Sequence, residues 1–479
     1  MKRWGAVLGV FLAALAFGAA GLGSFPLVDR DEPRFAESAR EMIERGDYLV
    51  PHFNGEPRYD KPPLMNWCQA LAYRAFGEND FAARFPSALA AALVAALVFA
   101  WARGVYGSKA ALGAAAVFLT SLQTLYLARA AVADMALVFF MTAAAWAAWA
   151  LLRNPAGPQR RRIFAGYSLA LAGAFLAKGP VALVIPAAAL IYAVRSATGR
   201  KTWAWLLGGA AAGLAVFALW AVPAYRATGG EYFRIGIGRH LVERSLRPLE
   251  GHGPQGTLLY LATLPYYLVV LAAAFSPWSI YLASAAGFYR KKERAGDFER
   301  YLGFVVLGVF ALFTPLKTKL PHYIFPAFPF LAILTAGYWF RSGRAFRPLG
   351  IQAGTMAALA LAATLAAGPA LARHFPAWNL YQMSRAKLKP GMEFGTFDFN
   401  EPSVVWYFRK SVRTPHRIFT ENDSMRAFLS EEGPRLGIVP SEFADVLVPP
   451  LPGWILYRAR GMNPAKGTWE DLFMAVRPD

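Results

Sequence analysis

Two polar stretches, DRDEPRFAESAREM at residues 29–42 and PHFNGEPRYDKPPL at residues 51–64, separate the first apolar segment of the chain from the second. Acidic and basic side chains follow one another closely in both stretches. A charge-dense insert between hydrophobic segments is typical of a membrane protein that holds a reaction site at the bilayer surface. The insert is therefore the first candidate for a functional site.

The rest of the chain is strongly apolar. Of its 479 residues, 56% are hydrophobic and 15% aromatic, and the mean hydropathy is +0.32. These values indicate a polytopic α-helical membrane protein rather than a soluble enzyme. A crossing of the bilayer needs about 20 apolar residues. About eleven segments of this kind are present, at approximately 5–23, 85–102, 110–127, 132–152, 163–177, 180–194, 203–222, 257–288, 301–315, 322–340 and 350–371.

Lysine and arginine are concentrated in one alternating set of the short connections between these segments. The positive-inside rule places this set, and the N-terminus with it, in the cytoplasm. The net charge of +20 then reflects topology and contact with anionic membrane lipid, and it predicts no nucleic-acid partner because no domain concentrates it. The residues are Lys2, Arg3, Arg103, Lys109, Arg153, Arg160, Arg161, Arg162, Arg195, Arg200, Lys201, Arg290, Lys291, Lys292, Arg294, Arg300, Arg341, Arg344 and Arg347.

The same parity places the polar clusters on the opposite, external face. The insert at 24–84, the loop at 223–256 and everything after residue 374 lie on that face, together with Asp134 and Lys178. These residues come from separate parts of the sequence. Their common side predicts that they contribute to one external site.

Within the insert, RFAESAREMIER at residues 34–45 predicts a helix with Pro33 at its first position. Phe35, Met42 and Ile43 could dip into lipid, as in an amphipathic helix that lies along the membrane surface. A solvated lid with ordinary charge pairs is the alternative.

Three carboxylates precede this helix. Asp29, Asp31 and Glu32 lie where the first apolar segment leaves the membrane, and a carboxylate held there can act as a general base. The structural alternative is that Asp29 or Asp31 caps the helix that begins near Pro33.

The YDKPPL segment places an acidic and a basic residue before a stiff diproline. Lys61 is a compact cation suited to a phosphate oxygen, and Asp60 could orient it or help to hold a metal ion. The alternative is a surface turn. The lone Cys68 excludes an intrachain disulfide and a CxxC site.

After residue 374 the composition changes. The runs MEFGTFDF, SVVWYF, RLGIVP and GWILYRA predict short strands, and residues 422–432 predict a helix. We expect a small external α/β domain at 374–479, which follows a transmembrane domain at 1–373 that carries the polar insert.

Several of these motifs together resemble one enzyme family. DEPRFAESAREM, YDKPPL, RFPS at 84–87, AVADMALVFF around Asp134, KGP at 178–180 and KTKLPHYIFP at 317–326 are similar to motifs of the GT-C glycosyltransferases. The resemblance is to the aminoarabinose transferases and the protein mannosyltransferase-like enzymes of this class, and it is strongest to the bacterial lipid A aminoarabinose transferases. The resemblance covers approximately residues 1–345. It implies a GT-C fold with about eleven transmembrane helices, external juxtamembrane helices and a small periplasmic α/β domain.

The family's activity implies transfer of a sugar, 4-amino-4-deoxy-L-arabinose, from undecaprenyl phosphate to lipid A or a related acceptor. The site would face the periplasm from the bacterial inner membrane. By this resemblance Asp31 and Asp134 are the essential carboxylates, and Arg34, Lys61 and Tyr323 surround the lipid phosphate. Candidate further donor contacts are Lys319, Lys178 and Arg84. A divalent ion, Zn²⁺ or Mg²⁺/Mn²⁺, would bind Asp60 and His252, although the family commonly has Glu at the position of Asp60.

The residue types suit this chemistry. Cleavage of the bond between the anomeric carbon and the phosphate leaves negative charge that nearby cations stabilise, while a carboxylate removes the acceptor's proton. The expected outcome is inversion at the anomeric carbon. Each residue also has a structural alternative: Asp134 as a helix cap, Lys178 as a snorkelling anchor and Tyr323 as an interfacial aromatic residue.

Other functions remain open from the sequence. A mannosyltransferase-like enzyme that modifies protein or another glycolipid would use the same class of donor. A lipid or sugar transporter would be polytopic too, but it should place polar groups near the bilayer midplane. A membrane scaffold would leave the ordered acidic and basic motifs without a role.

Overall fold

The computed structural model describes residues 2–153, 159–196, 200–236, 238, 257–291, 293–447, 453–463 and 466–478. Up to residue 372 these residues form helices and short connections, with one two-stranded hairpin of β1 (His52–Phe53) and β2 (Glu56–Pro57). The helices of this region are Lys2–Ala19, Asp31–Arg45, Leu64–Phe76, Asp80–Thr120, Leu122–Leu127, Asp134–Arg153, Arg160–Lys178, Val184–Arg195, Arg200–Ala227, Glu231–Phe233, Thr257–Ala262, Tyr266–Ala274, Leu282–Arg290, Asp297–Phe313, Phe328–Arg341, Phe346–Ala362 and Gly368–Ala372.

Among the described residues, six helical stretches are long and apolar enough to cross a membrane, and a bent pair makes a seventh if it is counted as one span. All eleven predicted segments coincide with helical structure. The stretch Arg160–Arg195 contains two of the predicted segments, and Asp80–Thr120 contains one together with most of a second. Asp80–Thr120 is interrupted at Gly107, with φ 82°, and Arg160–Arg195 is interrupted at Gly179, with φ 64°. Glycine adopts this left-handed backbone without a Cβ clash, so both positions suit a break between helices.

The prediction of one continuous span at 257–288 is wrong. Leu259–Ala274 and Trp278–Arg290 are bent by 113° at the break between them. Pro277 lies in this break, where it has no backbone N–H to continue the hydrogen-bond ladder. The prediction of a single segment at 110–127 also needs correction, because one helix ends at Thr120 and another begins at Leu122.

The described residues divide into two compact units. The first comprises residues 1–19, 59–65 and 85–360, and the second comprises residues 20–58, 66–84 and 361–479. The second unit therefore contains most of the polar insert as well as the C-terminal region. The predicted domain boundary at residue 373 follows sequence order, whereas these units are defined by contacts. The boundary stays a prediction.

The predicted helix of the insert is present as Asp31–Arg45, and we call it the insert helix. It ends at Gly46, whose φ of 66° suits a helix C-terminus. Arg30 occupies its N-cap position and no side chain caps it, so the capping role considered for Asp29 and Asp31 is wrong.

The insert helix is not an amphipathic helix that buries its apolar face in lipid. Phe35 and Met42 are buried inside the protein, and so are the charged side chains of Glu37, Arg40 and Glu41. Both its polar and its apolar faces are therefore covered by protein. Arg58, in the same unit, stacks on the Phe35 ring at 4.6 Å.

The C-terminal part of the second unit is a mixed five-stranded sheet with the strand order β4-β3-β5-β7-β6. The strands β3 and β5 pair in parallel, as do β3 and β4, whereas β7 is antiparallel to both β5 and β6. The strands are β3 (Glu393–Phe397), β4 (His416–Phe419), β5 (Arg435–Pro440), β6 (Ile455–Asn463) and β7 (Thr468–Arg477), and the helices are Pro376–Ser384, Pro402–Val412 and Asn422–Ser430.

Most of the predicted elements of this sheet are confirmed. Strands form within MEFGTFDF, RLGIVP and GWILYRA, and the predicted helix forms at Asn422–Ser430. The prediction of a strand for SVVWYF is wrong, because these residues belong to the helix Pro402–Val412. The strands β4 and β7 have no counterpart in the prediction.

Candidate active site

An ion pair between two helix ends forms the centre of the candidate site in the first unit. Asp134 begins the helix Asp134–Arg153, and Lys178 ends the helix Arg160–Lys178. The Lys178 Nζ lies 2.7 Å from the Asp134 Oδ1, and the two side chains are only 14% and 9% exposed. A charge in such a water-poor position is costly unless it is paired, so the contact between the two side chains offsets part of the cost of burying them.

Two more basic side chains act on the same carboxylate. Lys61 and His322 both interact electrostatically with Asp134. They come from the diproline segment of the insert and from the 3₁₀ helix Pro321–Ala327. The structure thus brings together, in one unit, three basic residues and one carboxylate from four separate segments of the chain.

The segment that carries Lys61 is fixed by an aromatic neighbour. The Tyr232 hydroxyl donates a hydrogen bond to the Lys61 carbonyl, and the Tyr232 ring packs against Tyr59 with 5.2 Å between centroids. The Lys61 ammonium also donates to the carbonyl of Asp60 at 3.2 Å. Tyr232 was not predicted, and a lone tyrosine after a double glycine gives little signal in the sequence.

A group of aromatic residues surrounds Lys319. Its ammonium donates to the carbonyls of Thr314 and Leu316 at 2.7 and 3.0 Å and lies 5.5 Å from the centroid of the Tyr267 ring. Tyr260 is a second ring neighbour of this ammonium, at 5.9 Å. Burial lowers the pKa of Lys319. Neither tyrosine was predicted, because both fall inside an apolar run that reads as membrane helix.

Tyr323 lies in the proline-rich turn that follows Lys319. Its ring packs on Phe313 at 4.9 Å and on the preceding His322 at 5.1 Å. The side chain is half-buried. A phenol in this position has one apolar face held by protein and a hydroxyl suited to a phosphate oxygen.

The predicted residues Asp31, Arg34 and Arg84 belong to the second unit. Asp31 is exposed and Arg34 is half-buried, both in the first turn of the insert helix. A carboxylate in the first turn is stabilised by the helix dipole and remains accessible to solvent.

Arg84 is fully buried and bonded entirely to protein. Its Nε and one terminal nitrogen bind the two oxygens of Glu32 at 2.9 and 2.8 Å. The carbonyls of Leu22, Phe25 and Pro26 accept from the terminal nitrogens, each at 2.8 Å. A guanidinium has five N–H donors, and these five contacts use all of them.

Only one of the two predicted metal ligands lies among the described residues. Asp60 is half-buried in the insert, whereas His252 lies outside the described residues. Within the described ranges, no three side chains of His, Cys, Asp or Glu come together in a way that could hold a metal ion. The described donors around Asp60 therefore do not by themselves fit a divalent ion.

The sequence is similar to known glycosyltransferases. Residues 60–222 match the family model described as dolichyl-phosphate-mannose-protein mannosyltransferase. The chain is 34% identical over 334 residues to an undecaprenyl phosphate-alpha-4-amino-4-deoxy-L-arabinose arabinosyl transferase of Edwardsiella ictaluri, which covers 67% of this chain and 58% of that protein. It is 32% identical to the enzyme of the same name from Pectobacterium carotovorum, over 64% of this chain and 54% of that protein. The chain thus spans less than two thirds of the length of these relatives.

Solved structures show the same fold. The crystal structure of ArnT from Cupriavidus metallidurans bound to undecaprenyl phosphate aligns with a TM-score of 0.78 at 19% identity, over 98% of both chains. The archaeal oligosaccharyltransferase AglB from Archaeoglobus fulgidus aligns with a TM-score of 0.53 at 13% identity, over 98% of this chain and 74% of that chain. Together with the apolar helices, this likeness confirms the predicted fold class, a multi-pass α-helical membrane protein with the GT-C fold and a small C-terminal sheet.

Proposed function

The chain belongs to the GT-C family of the aminoarabinose transferases and protein mannosyltransferases, and on this premise we propose that it transfers a sugar from a polyprenyl phosphate to an acceptor. The observation that carries the proposal is the pairing of Asp134 with Lys178, within electrostatic range of Lys61 and His322. Such a site offers a carboxylate for a proton and cations for a phosphate in surroundings of low dielectric constant.

The proposed reaction is a single displacement. The acceptor hydroxyl attacks the anomeric carbon and gives its proton to Asp31 or Asp134. The bond from the anomeric carbon to the phosphate oxygen breaks, and its electron pair leaves with the polyprenyl phosphate. Lys61, Arg34 and the Tyr323 hydroxyl stabilise the departing charge, with Lys178 and Lys319 as further cations. Attack on one face with departure from the other inverts the anomeric centre.

Arg84 is not included in the proposed phosphate site. Its five donors are already bound to Glu32 and to three carbonyls. A phosphate would have to displace these buried bonds, and each displaced partner would be left unsatisfied.

The sugar and the acceptor are proposed from the relatives. The arabinosyl transferases named above support undecaprenyl phosphate-linked 4-amino-4-deoxy-L-arabinose as donor, and we propose lipid A as the acceptor. The distribution of lysine and arginine among the connections supports a site on the periplasmic face of the bacterial inner membrane. The family model matched at residues 60–222 favours a second candidate, a mannosyltransferase that uses a polyprenyl-phosphate sugar to modify protein or another glycolipid.

A divalent ion held by Asp60 and His252 is a separate proposal, and no step above depends on it. It is tested by measuring the metal content of the purified protein and of the Asp60→Ala variant. A stoichiometric metal that disappears in the variant would support the proposal, and equal content in both proteins would refute it.

The function is tested with purified protein in lipid vesicles that contain a polyprenyl-phosphate sugar and lipid A. We expect release of polyprenyl phosphate and appearance of the sugar on lipid A, with both signals lost in Asp31→Asn and Lys61→Ala. The matched controls are Asp423→Asn and Lys109→Ala, whose wild-type side chains are exposed. Cleavage with transfer only to a protein or another glycolipid would favour the second candidate. A folded protein that does not cleave the polyprenyl-phosphate sugar would contradict the proposal.

A further inference from the structure

The insert helix is bound along its length by one helix of the C-terminal region, Pro402–Val412, in the same unit. The strongest contacts come from Arg409. One terminal nitrogen of Arg409 lies 2.5 Å from an oxygen of Glu37 and 2.5 Å from one of Glu41, and the other lies 3.0 Å from Glu44. Glu37, Glu41 and Glu44 are spaced at i, i+4 and i+7, which places them on one face of the insert helix. A single guanidinium therefore binds two successive turns.

A second arginine forms the reciprocal contact. Arg40 of the insert helix donates to the carbonyl of Trp406 at 3.0 Å, and its guanidinium lies 4.9 Å from the centroid of the Trp406 ring. It also pairs with Glu37. The side chains of Arg40, Glu37 and Glu41 are almost completely removed from solvent. The two arginines thus cross between the helices in opposite directions.

A third contact lies at the other end of the Pro402–Val412 helix. Asp29 accepts hydrogen bonds from the backbone N–H of Ser403 at 2.8 Å and from its hydroxyl at 2.5 Å. Asp29 precedes the insert helix by two residues. The first turn of that helix, which contains Asp31 and Arg34, therefore lies between an anchor at residue 29 and an anchor at residues 37–44.

These charged contacts contribute more to the orientation of the insert helix than to the stability of the protein. Burial of several charges costs much of what their pairing returns, and well-packed apolar side chains commonly do as well. Charged groups with several directional bonds instead fix one register between two helices. Accurate orientation of a general base and a phosphate-binding arginine is worth much in a displacement reaction, since a shift of about 1 Å can cost roughly 100-fold in rate.

We propose that Arg409 is a positioning residue for sugar transfer, which acts by holding the insert helix so that Asp31 and Arg34 keep their reactive orientation. This inference rests on the proposed function, because it assigns a role to Arg409 within the same reaction. It assigns the C-terminal region a part in turnover rather than in acceptor recognition.

The test compares Arg409→Met and Arg409→Lys with the matched control Arg426→Met, whose wild-type side chain forms an exposed pair with Asp445 at 3.5 Å. In the vesicle assay we expect kcat to fall about 10-fold to 100-fold in Arg409→Met, with a smaller change in the KM for donor. Arg409→Lys should restore part of the loss, and Arg426→Met should match the wild type. A loss confined to KM, or an equal loss in the control, would overturn the proposal.

A second measurement does not depend on turnover. Hydrogen exchange of the backbone amides at residues 29–36 should be faster in Arg409→Met than in the wild type and unchanged in Arg426→Met. If the wild-type protein cleaves no donor, the proposed function fails, and this exchange measurement alone decides whether Arg409 orders the first turn. If Arg409→Met does not fold, Arg409→Lys decides, because an ammonium keeps the charge but cannot reach Glu37, Glu41 and Glu44 with the planar fork of a guanidinium. Wild-type kcat and exchange in Arg409→Lys would then overturn the proposal.

Discussion

Two buried ion pairs in this protein have opposite surroundings. Arg84 and Glu32 in the second unit are fully enclosed, and every donor of the guanidinium binds a protein oxygen. Lys178 and Asp134 in the first unit keep 14% and 9% of their side-chain surface, and their one direct bond leaves an ammonium with further donor capacity.

On the proposed function, the difference separates a structural charge from a reactive one. A fully enclosed pair in which every donor is already bound stabilises its surroundings, and it has no donor available for a substrate. A pair that keeps some exposure, with Lys61 and His322 acting on the same carboxylate, can exchange its partner for a ligand or a proton. Both residues of each pair were singled out from the sequence as candidates, and only their tertiary contacts distinguish the two cases.

The largest expected effect is on turnover at the partly exposed pair. Asp134→Asn keeps the shape of the side chain and removes its charge, so we expect the rate of sugar transfer to fall about 10²-fold to 10⁴-fold. The thermal midpoint in detergent should change by only a few degrees. Asp423→Asn, at an exposed position, is the matched control. Wild-type turnover together with a large loss of stability would instead identify Asp134 as a helix cap.

The opposite pattern is expected at the enclosed pair. Arg84→Met leaves Glu32 as an uncompensated buried charge and strands three carbonyls, so we expect a loss of about 3–5 kcal/mol in stability, read as a fall in the thermal midpoint. The double variant Glu32→Gln/Arg84→Met should recover part of the lost stability, because the substitution of Glu32 removes the uncompensated charge. Binding of polyprenyl phosphate by the folded fraction should be unchanged. A stable Arg84→Met protein that has lost this binding would place Arg84 in the donor site after all.

The sequence predicted the helices of the membrane region because their signal is local. Apolar composition over about 20 residues marks a candidate span regardless of its neighbours. The same reasoning failed for SVVWYF. Its β-branched and aromatic residues favour a strand. Residues 402–409 are all buried, so the segment lacks the periodic polar positions that would indicate a helix. The remaining local signal is Pro402, which suits the first turn of a helix.

The lipid-facing prediction for the insert helix failed for a related reason. Its charged residues look like a solvent face, yet their partners Trp406 and Arg409 lie more than 360 residues further along the chain. Pairings at such separation leave no local periodicity. Likewise Asp134 and Lys178 were each proposed from motif resemblance, whereas their direct bond became visible only in the structure.

The smallest expected effect concerns a third acid, the half-buried Asp29, and it appears as a dependence of stability on pH. Burial, together with the nearby charges of Glu401 and Glu470, raises the pKa of Asp29 from 3.8 to about 7, although its bonds from Ser403 oppose the shift. Glu401 is itself held by Arg30 and Lys466. The folded protein therefore binds this proton more tightly than the unfolded chain.

Stability from this group is fully present below about pH 4 and is lost as the pH rises through about 7, by at most about 4 kcal/mol. We expect the thermal midpoint of unfolding to increase when the pH is lowered from about 8 to about 5.5. The increase should be smaller in Asp29→Asn, because the asparagine side chain has no proton to bind. Burial also raises the pKa of Glu37 to about 7, so a slope of the same sign should remain in the variant. An unchanged slope in Asp29→Asn would mean that Asp29 is ionised throughout this range. Its charge would then be held by the hydrogen bonds from Ser403.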